Sequence, residues 1–308
     1  MKILFMGTTV FSNVILNQLI EDGYEIVGVV TQPDRPFGRK KELKAPITKE
    51  LALAHDIPVL QPERIKDATD DIRNLNPDCI VTCAYGQIVP KEILEIPRYK
   101  SLNVHASLLP KYRGGAPIHK AVVNGNTETG VTLMFMDVGM DSGDMLYKES
   151  VTIDPDDTFG DVEAKLMEAS KTLIHDGLSL YFKGKIKGEA QNLDDVTFAY
   201  AIKREEEFVS FQKDIDDIYN HIRGFIPWPT SFGKLEDLNI KIHGAKKITK
   251  DHQDTIGEIV DVSLEGVKVA VNGGYILLTS VQPAGKPKMK NQDVVNGYAS
   301  IWKGKRFQ

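Results

Sequence analysis

The chain has 308 residues, 42% of them hydrophobic and 26% charged, which is enough apolar content for two packed domains and excludes a chain too polar to fold. Its net charge of −5 excludes a surface coated throughout with cations for DNA, although the charge is uneven: residues 208–308 sum to +3 and residues 1–207 to −8. No apolar run approaches bilayer-spanning length, and the opening run at residues 2–6 is too short for a signal core, so a cytoplasmic protein without a membrane partner is expected.

Residues 2–6 read as a buried first strand, followed by a Gly7-Thr8-Thr9 turn and a helix in which Phe11, Val14, Ile15 and Leu19 recur at helical spacing. Ser12 or Thr9 can cap that helix. Residues 26–30 are a second apolar run, and the strand–helix–strand order implies a parallel, right-handed crossover. This Rossmann-like opening carries neither GxGxxG nor GxxxxGK[ST], which leaves a dinucleotide or ATP site weakly supported. Residues 31–46 are too rich in Pro, Gly and charge for helix or strand and predict a long loop at the carboxyl end of the second strand. There Arg35, Arg39, Lys40, Lys41 and Lys44 outnumber Asp34 and Glu42, a pattern that fits solvated charge or contact with a phosphate backbone.

Helical patterns at 48–55 and 63–75 alternate with strands at 58–60 and 79–84. The second of these strands carries the chain's two cysteines, Cys79 and Cys83, on one face. No CxxC, HExxH or second Cys/His cluster completes a metal site, so buried reduced thiols and no metal are expected. Tyr85-Gly86 either lets backbone approach a ligand or makes an ordinary tight turn. In the next strand Leu102 and Val104 face one way and Asn103 and His105 the other, so two hydrogen-bonding side chains project together. Leu108-Leu109-Pro110 stops the strand, which leaves that pair at a carboxyl end, where open α/β sheets bind ligands. A helix with Pro117 early in it and a strand at 129–136 follow. That strand runs into a loop with Asp137, Asp141 and Asp144, three carboxylates in eight residues, interspersed with Gly139 and Gly143. The loop is shaped to present an acid, and it lacks the ligand ladder of an EF-type calcium site.

A strand at 145–153 and a long amphipathic helix at 159–181 close a first domain, residues 1–183; residues 184–207 are polar and read as a linker. Residues 208–308 have a new texture: a helix around 215–224, the rigid Pro227-Trp228-Pro229, and five short strands with Gly turns. The expected fold is α/β, a Rossmann-like, mostly parallel sheet domain followed by a small OB-like β-barrel domain. Lys286, Lys288 and Lys290, with Lys303, Lys305 and Arg306, are a nucleic-acid surface or simple solubilisers.

Taken together, Thr31 to Pro36, Ala84-Tyr85-Gly86, Asn103-Val104-His105-Ala106-Ser107-Leu108-Leu109-Pro110, Asp137 to Gly143 and Gln282 to Lys286 closely resemble the folate-dependent formyltransferase family, in the branch that acts on methionyl-tRNA. The similarity runs through almost the whole chain. The Asn-x-His-x-Ser-Leu-Leu-Pro run with its later Asp-x-Gly marks the chemistry; the basic loop and C-terminal domain mark the acceptor. The resemblance implies that Asn103, His105 and Asp141 are catalytic and that Ser107, Leu108, Leu109 and Pro110, with Tyr85 and Gly86, contact folate. It further implies that Arg39, Lys40, Lys41, Lys286 and Lys288 contact tRNA. The co-substrate would be 10-formyltetrahydrofolate, the partner initiator methionyl-tRNA rather than DNA, and the protein a cytoplasmic monomer without a metal. One departure stands out: Thr9 and Val10 occupy positions where the family has Pro-Asp, which removes a rigid residue and a carboxylate from the helix start and predicts an altered cap. A glycinamide ribonucleotide or sugar-nucleotide formyltransferase would share the catalytic set without this loop and barrel together. A silent RNA-binding module would not need the set, and a nucleotide-dependent oxidoreductase would need a phosphate fingerprint.

Overall fold

A computed structural model describes residues 1–38 and 42–308, and these form two compact units that interleave along the chain. One comprises Met1–Gly114, Gly130–Val151 and Lys165–Phe198; the other comprises Gly115–Thr129, Thr152–Ala164 and Ala199–Gln308. Among the described residues, no helix is long and apolar enough to cross a membrane.

In chain order the first elements are β1 (Lys2–Gly7), α1 (Val10–Glu21), β2 (Glu25–Val30), β3 (Arg35–Phe37), β4 (Glu42–Lys44), α2 (Ile47–Ala54), β5 (Val59–Leu60), α3 (Thr69–Asn74), β6 (Cys79–Cys83), α4 (Lys91–Leu94), β7 (Ser101–His105), α5 (Pro117–Val123), β8 (Glu128–Phe135), β9 (Met145–Thr152) and α6 (Phe159–Phe182). A seven-stranded sheet runs β5-β2-β1-β6-β7-β8-β9. From β5 to β7 the pairings are parallel, and β8 is antiparallel to β7, so the sheet is mixed. Parallel strands covered on both faces need continuous apolar runs, and every residue of β6 is buried. Cys79 and Cys83 lie there as free thiols; burial pushes both upward in pKa, Cys83 to about 12.

One local outcome differs from the expectations above, and a second, the cap of α1, is as expected. The loop at 31–46 contains a two-stranded antiparallel ribbon, β3 with β4, pairing Arg35 with Lys44 and Pro36 with Leu43. In an isolated ribbon each strand has a free edge, so the missing N–H of Pro36 need not cost a ladder bond. At the start of α1, Thr9 replaces the cap that Pro-Asp would supply: its hydroxyl accepts from the Ser12 N–H at 3.3 Å, and the Ser12 hydroxyl accepts from the Thr9 N–H at 3.1 Å. Thr9→Ala is expected to cost about 1 kcal/mol in denaturant unfolding. An unchanged midpoint would show that the cap contributes nothing.

In the second unit follow α7 (Ile215–Gly224), β10 (Phe232–Leu235), β11 (Leu238–Thr249), β12 (Ile259–Ser263), β13 (Gly266–Val271), β14 (Gly274–Pro283) and α8 (Asn291–Trp302). The sheet is a five-stranded antiparallel one, order β10-β11-β14-β13-β12. Its apolar face packs Ile240, Ile242, Val269, Ile276 and Leu278 with Ile215, Ile218 and Ile222 of α7 and Trp302 of α8. The helix α8 buries Val294 and Trp302 and packs the half-buried Val295, Tyr298 and Ala299 against the same core.

Burial disfavours the charged form of two histidines in this unit. His119 stacks on Phe159 with ring centroids 3.9 Å apart, and His221 on Phe225 at 4.8 Å. Burial, and then the nearby Lys213 and Lys120, lower His221 to about 4; His119 is lowered too, mainly by burial. The unfolded chain therefore takes up a proton first, and stability that is full above the ordinary value of 6.5 is lost as pH falls towards 4. His221→Phe is expected to flatten the fall of Tm between those pH values. An equally steep fall in the variant would remove His221 from the account.

Candidate active site

The strand β7 lies between β6 and β8, with Asn103 opposite Thr82 on one side and Met134 on the other. Alternation puts Asn103 and His105 on one face, as the sequence predicts. His105 is buried, and its ring is held from both ends: Nε2 lies 2.9 Å from the Tyr112 carbonyl oxygen, and Nδ1 lies 3.5 Å from Oδ2 of Asp141. The same carboxylate oxygen accepts the Gly114 N–H at 2.8 Å. Asn103 is half-buried, and its amide makes no hydrogen bond to another described residue. The structure thus brings Asn103, His105 and Asp141 onto one face of the sheet.

Asp141 does not arrive as the next parallel strand would deliver it. Because β8 runs against β7, pairing Leu102 with Phe135 and His105 with Thr132, the 136–144 connection leaves from the amino end of β7 and folds back across the face. Of its three carboxylates only Asp141 meets the imidazole. Asp137 shapes the turn instead, accepting from the Gly139 N–H at 2.9 Å and the Ser142 hydroxyl at 2.7 Å. Asp141 itself has φ +47°, left-handed backbone that a non-glycine residue adopts only where its surroundings hold it.

The segment after β7 is a braced turn. Thr132 of β8 is its hub, donating its hydroxyl to the Ser107 carbonyl at 2.7 Å and accepting the Leu109 N–H at 3.2 Å. The Ser107 hydroxyl donates to the Lys111 carbonyl at 2.6 Å, and Lys148 donates to the Leu109 carbonyl at 2.7 Å. Leu109 is buried with Met134 and Met145, and the Leu109–Pro110 bond is cis. Leu108 lies over Gly130, where a Cβ would collide with its side chain and with the Glu149 carbonyl. At the end of β6, Ala84 and Gly86 have φ of +44° and +92°. The Tyr85 ring lies in the apolar core, and its carbonyl accepts from Thr8 at 3.0 Å and Gln32 at 3.1 Å. The hydroxyls of Thr82 and Tyr85 are buried without a partner among the described residues, and burial pushes Tyr85 up to about 12.

Arg39, Lys40 and Lys41 lie outside the described residues. Lys286 and Lys288 are exposed between β14 and α8 in the second unit. Among the described residues no group of three or more His, Cys, Asp or Glu comes together to hold a metal. Sequence reasoning missed the carbonyl of Tyr112, the N–H of Gly114 and the buried Arg113–Gln191 pair beside them. The Gly114-Gly115 pair was a signal that backbone comes close there; nothing in its neighbourhood marks Gln191. What the arrangement offers chemically is an unspent amide, an imidazole beside it and a carboxylate within reach of the imidazole.

Residues 1–178 match the family described as formyl transferase, and residues 201–299 match the formyl transferase C-terminal domain. The chain is 47% identical over 299 residues to the methionyl-tRNA formyltransferase of Bacillus subtilis (strain 168), covering 96% of this chain and 94% of that one. It is 46% identical to the methionyl-tRNA formyltransferase of Bacillus cereus (strain G9842), covering 96% and 95%. Among solved structures, an N-formyltransferase from Helicobacter canadensis in complex with folinic acid and dTDP-3-aminofucose superposes with a TM-score of 0.69 at 18% identity, covering 90% of this chain and 98% of that one. HypX from Aquifex aeolicus in complex with tetrahydrofolic acid superposes with a TM-score of 0.68 at 16% identity, covering 98% and 48%. At those identities the two structures speak to fold alone. By the family match and the identity to its relatives, the chain is an enzyme of the formyl transferase family and belongs with the methionyl-tRNA formyltransferases.

Proposed function

We propose that this chain moves the formyl group of 10-formyltetrahydrofolate to the α-amine of methionine carried by initiator tRNA, with Asn103, His105 and Asp141 as its catalytic residues. The observation that carries the reading is the 3.5 Å approach of Asp141 to His105, beside the unspent amide of Asn103. An α-amine has a pKa near ~8, so a useful fraction is a free nucleophile at neutral pH, and neither an activated serine nor a metal is required. As the amine attacks the formyl carbon, charge grows on the formyl oxygen. Donors aimed there contribute about 3 kcal/mol each in comparable sites; Asn103 is one candidate, and His105 is the second once its Nε2 leaves the Tyr112 carbonyl that holds it here. Asp141 accepts the proton lost by the amine, directly or through water, and His105 relays one to the departing nitrogen.

The folate would lie against residues 107–110 and the turn at Tyr85-Gly86. The orphaned hydroxyls of Thr82 and Tyr85 and the left-handed backbone at Ala84 and Gly86 fit a site at which backbone and polar atoms are kept for a ligand. For the tRNA we propose Arg39, Lys40 and Lys41 together with Lys286 and Lys288, the last two on an OB-like C-terminal domain. Residues 1–183 would supply the chemistry and 208–308 the tRNA surface, in a cytoplasmic monomer.

The test is to offer a labelled formyl donor with methionyl-tRNA, free methionine, glycinamide ribonucleotide and an amino sugar nucleotide in parallel. Label on methionyl-tRNA alone is the expected result; label on another acceptor instead would overturn the assignment. Raising salt from about 50 to 200 mM is expected to raise the KM for tRNA about tenfold or more, since each lost phosphate contact adds to the slope. A salt-insensitive KM removes the lysines from the tRNA surface.

A further inference from the structure

Between α6 and the second unit, the chain runs back through the site. Glu189 exchanges both backbone hydrogen bonds with Met145 at 2.8 Å. Eight residues later the Thr197 carbonyl accepts the Arg113 N–H at 2.9 Å, and its hydroxyl accepts the Tyr112 N–H at 2.9 Å. Between these fastenings sits Gln191, 8% exposed, against Arg113, 7% exposed. Its Oε1 accepts from Arg113 Nε at 3.0 Å and Nη2 at 2.8 Å, while its Nε2 donates to the carbonyls of Asp141 and Gly143 at 2.8 Å each.

A primary amide has two lone pairs and two N–H bonds, and here all four are used. One end grips the residue next to Tyr112, whose carbonyl holds His105. The other grips the loop on both sides of Ser142, which fixes the left-handed backbone of Asp141. No other side chain can do both. Glutamate would keep an acceptor for Arg113 but turn lone pairs against two carbonyls, and leucine would strand the guanidinium and both carbonyls.

We infer that Gln191 is a positioning residue for formyl transfer, the clasp through which residues 189–197 hold Asp141 in register with His105. The inference rests on the catalytic reading of that pair given above. Gln191→Glu keeps Arg113 partnered and releases the loop, while Gln191→Leu releases both; both are made in the full-length chain, and thermal unfolding checks that each folds. In either variant kcat is expected to fall about 10- to 100-fold with KM for the folate donor within about threefold, as a displaced catalytic group requires. Amide exchange at Gly114, whose N–H is held by the Asp141 carboxylate, is expected to speed up at least about tenfold. On an Asp141→Asn background, a further change at Gln191 is expected to lower kcat less than about twofold, because the group it positions is already lost.

A full multiplicative loss on that background would make Gln191 a general scaffold residue and overturn the inference. Unchanged exchange at Gly114 would overturn it too. Wild-type turnover in Asp141→Asn alone would sink the catalytic reading instead, and the exchange at Gly114 would still decide whether the clasp exists.

Discussion

Asp141→Asn and His105→Ala are each expected to lower kcat by about 10²- to 10³-fold while leaving the KM for the folate donor within about threefold. The asparagine change is the sharper of the two. The oxygen of Asp141 that faces His105 also accepts the Gly114 N–H at 2.8 Å, and an asparagine amide oxygen can still accept there. The loop therefore keeps its anchor, and what is lost is the charge and the capacity to take a proton. His105→Ala also removes the contact with the Tyr112 carbonyl, so its effect mixes chemistry with a local loosening. Steady-state kinetics with saturating tRNA separates kcat from KM. Wild-type turnover in either variant would refute the catalytic assignment.

Gly143→Ala is expected to destabilise the protein by about 2–3 kcal/mol and to cost most of the activity, because a Cβ there collides with the backbone carbonyl of Phe135. Phe135 ends a strand paired to β7, so the carbonyl cannot yield and the loop must. That movement pulls Asp141, two residues away, from the imidazole. Gly139 in the same loop is the comparison: a Cβ there meets the Ser142 hydroxyl and, less closely, the Ser142 Cβ and Asp137 Oδ1, so the hydroxyl must give up its bond to Asp137 but no strand carbonyl stands in the way, and Gly139→Ala should cost about 1 kcal/mol. Denaturant unfolding with kinetics on the same samples checks both. Equal, small effects at the two glycines would show that the loop adapts freely.

Much of this site could be read before any coordinates. Asn103 and His105 follow from the two-residue period of a strand, which depends on local geometry and nothing else. The covered strands announced themselves as apolar runs, and α7 by the spacing of Ile215, Ile218 and Ile222. The direction of β8 was not legible, since alternation says which face a residue takes but not which way the neighbouring strand runs. The ribbon at β3 and β4 was hidden by its proline and charges, which exclude a central strand but not an exposed one. Gln191 was the least legible. Its partners lie 48 to 78 residues away, and a polar stretch satisfied by distant partners has the same composition as one solvated by water.

The strap at 189–197 also has a consequence for the order of synthesis. A nascent polypeptide exposes His105 and Asp141 well before the stretch that fastens them, because Gln191 and Thr197 follow the whole of α6. While that helix is still emerging from the ribosome, the pair has neighbours but no fastening. Competence to formylate would then arrive late and abruptly, with the delivery of a few residues that join no regular helix or sheet.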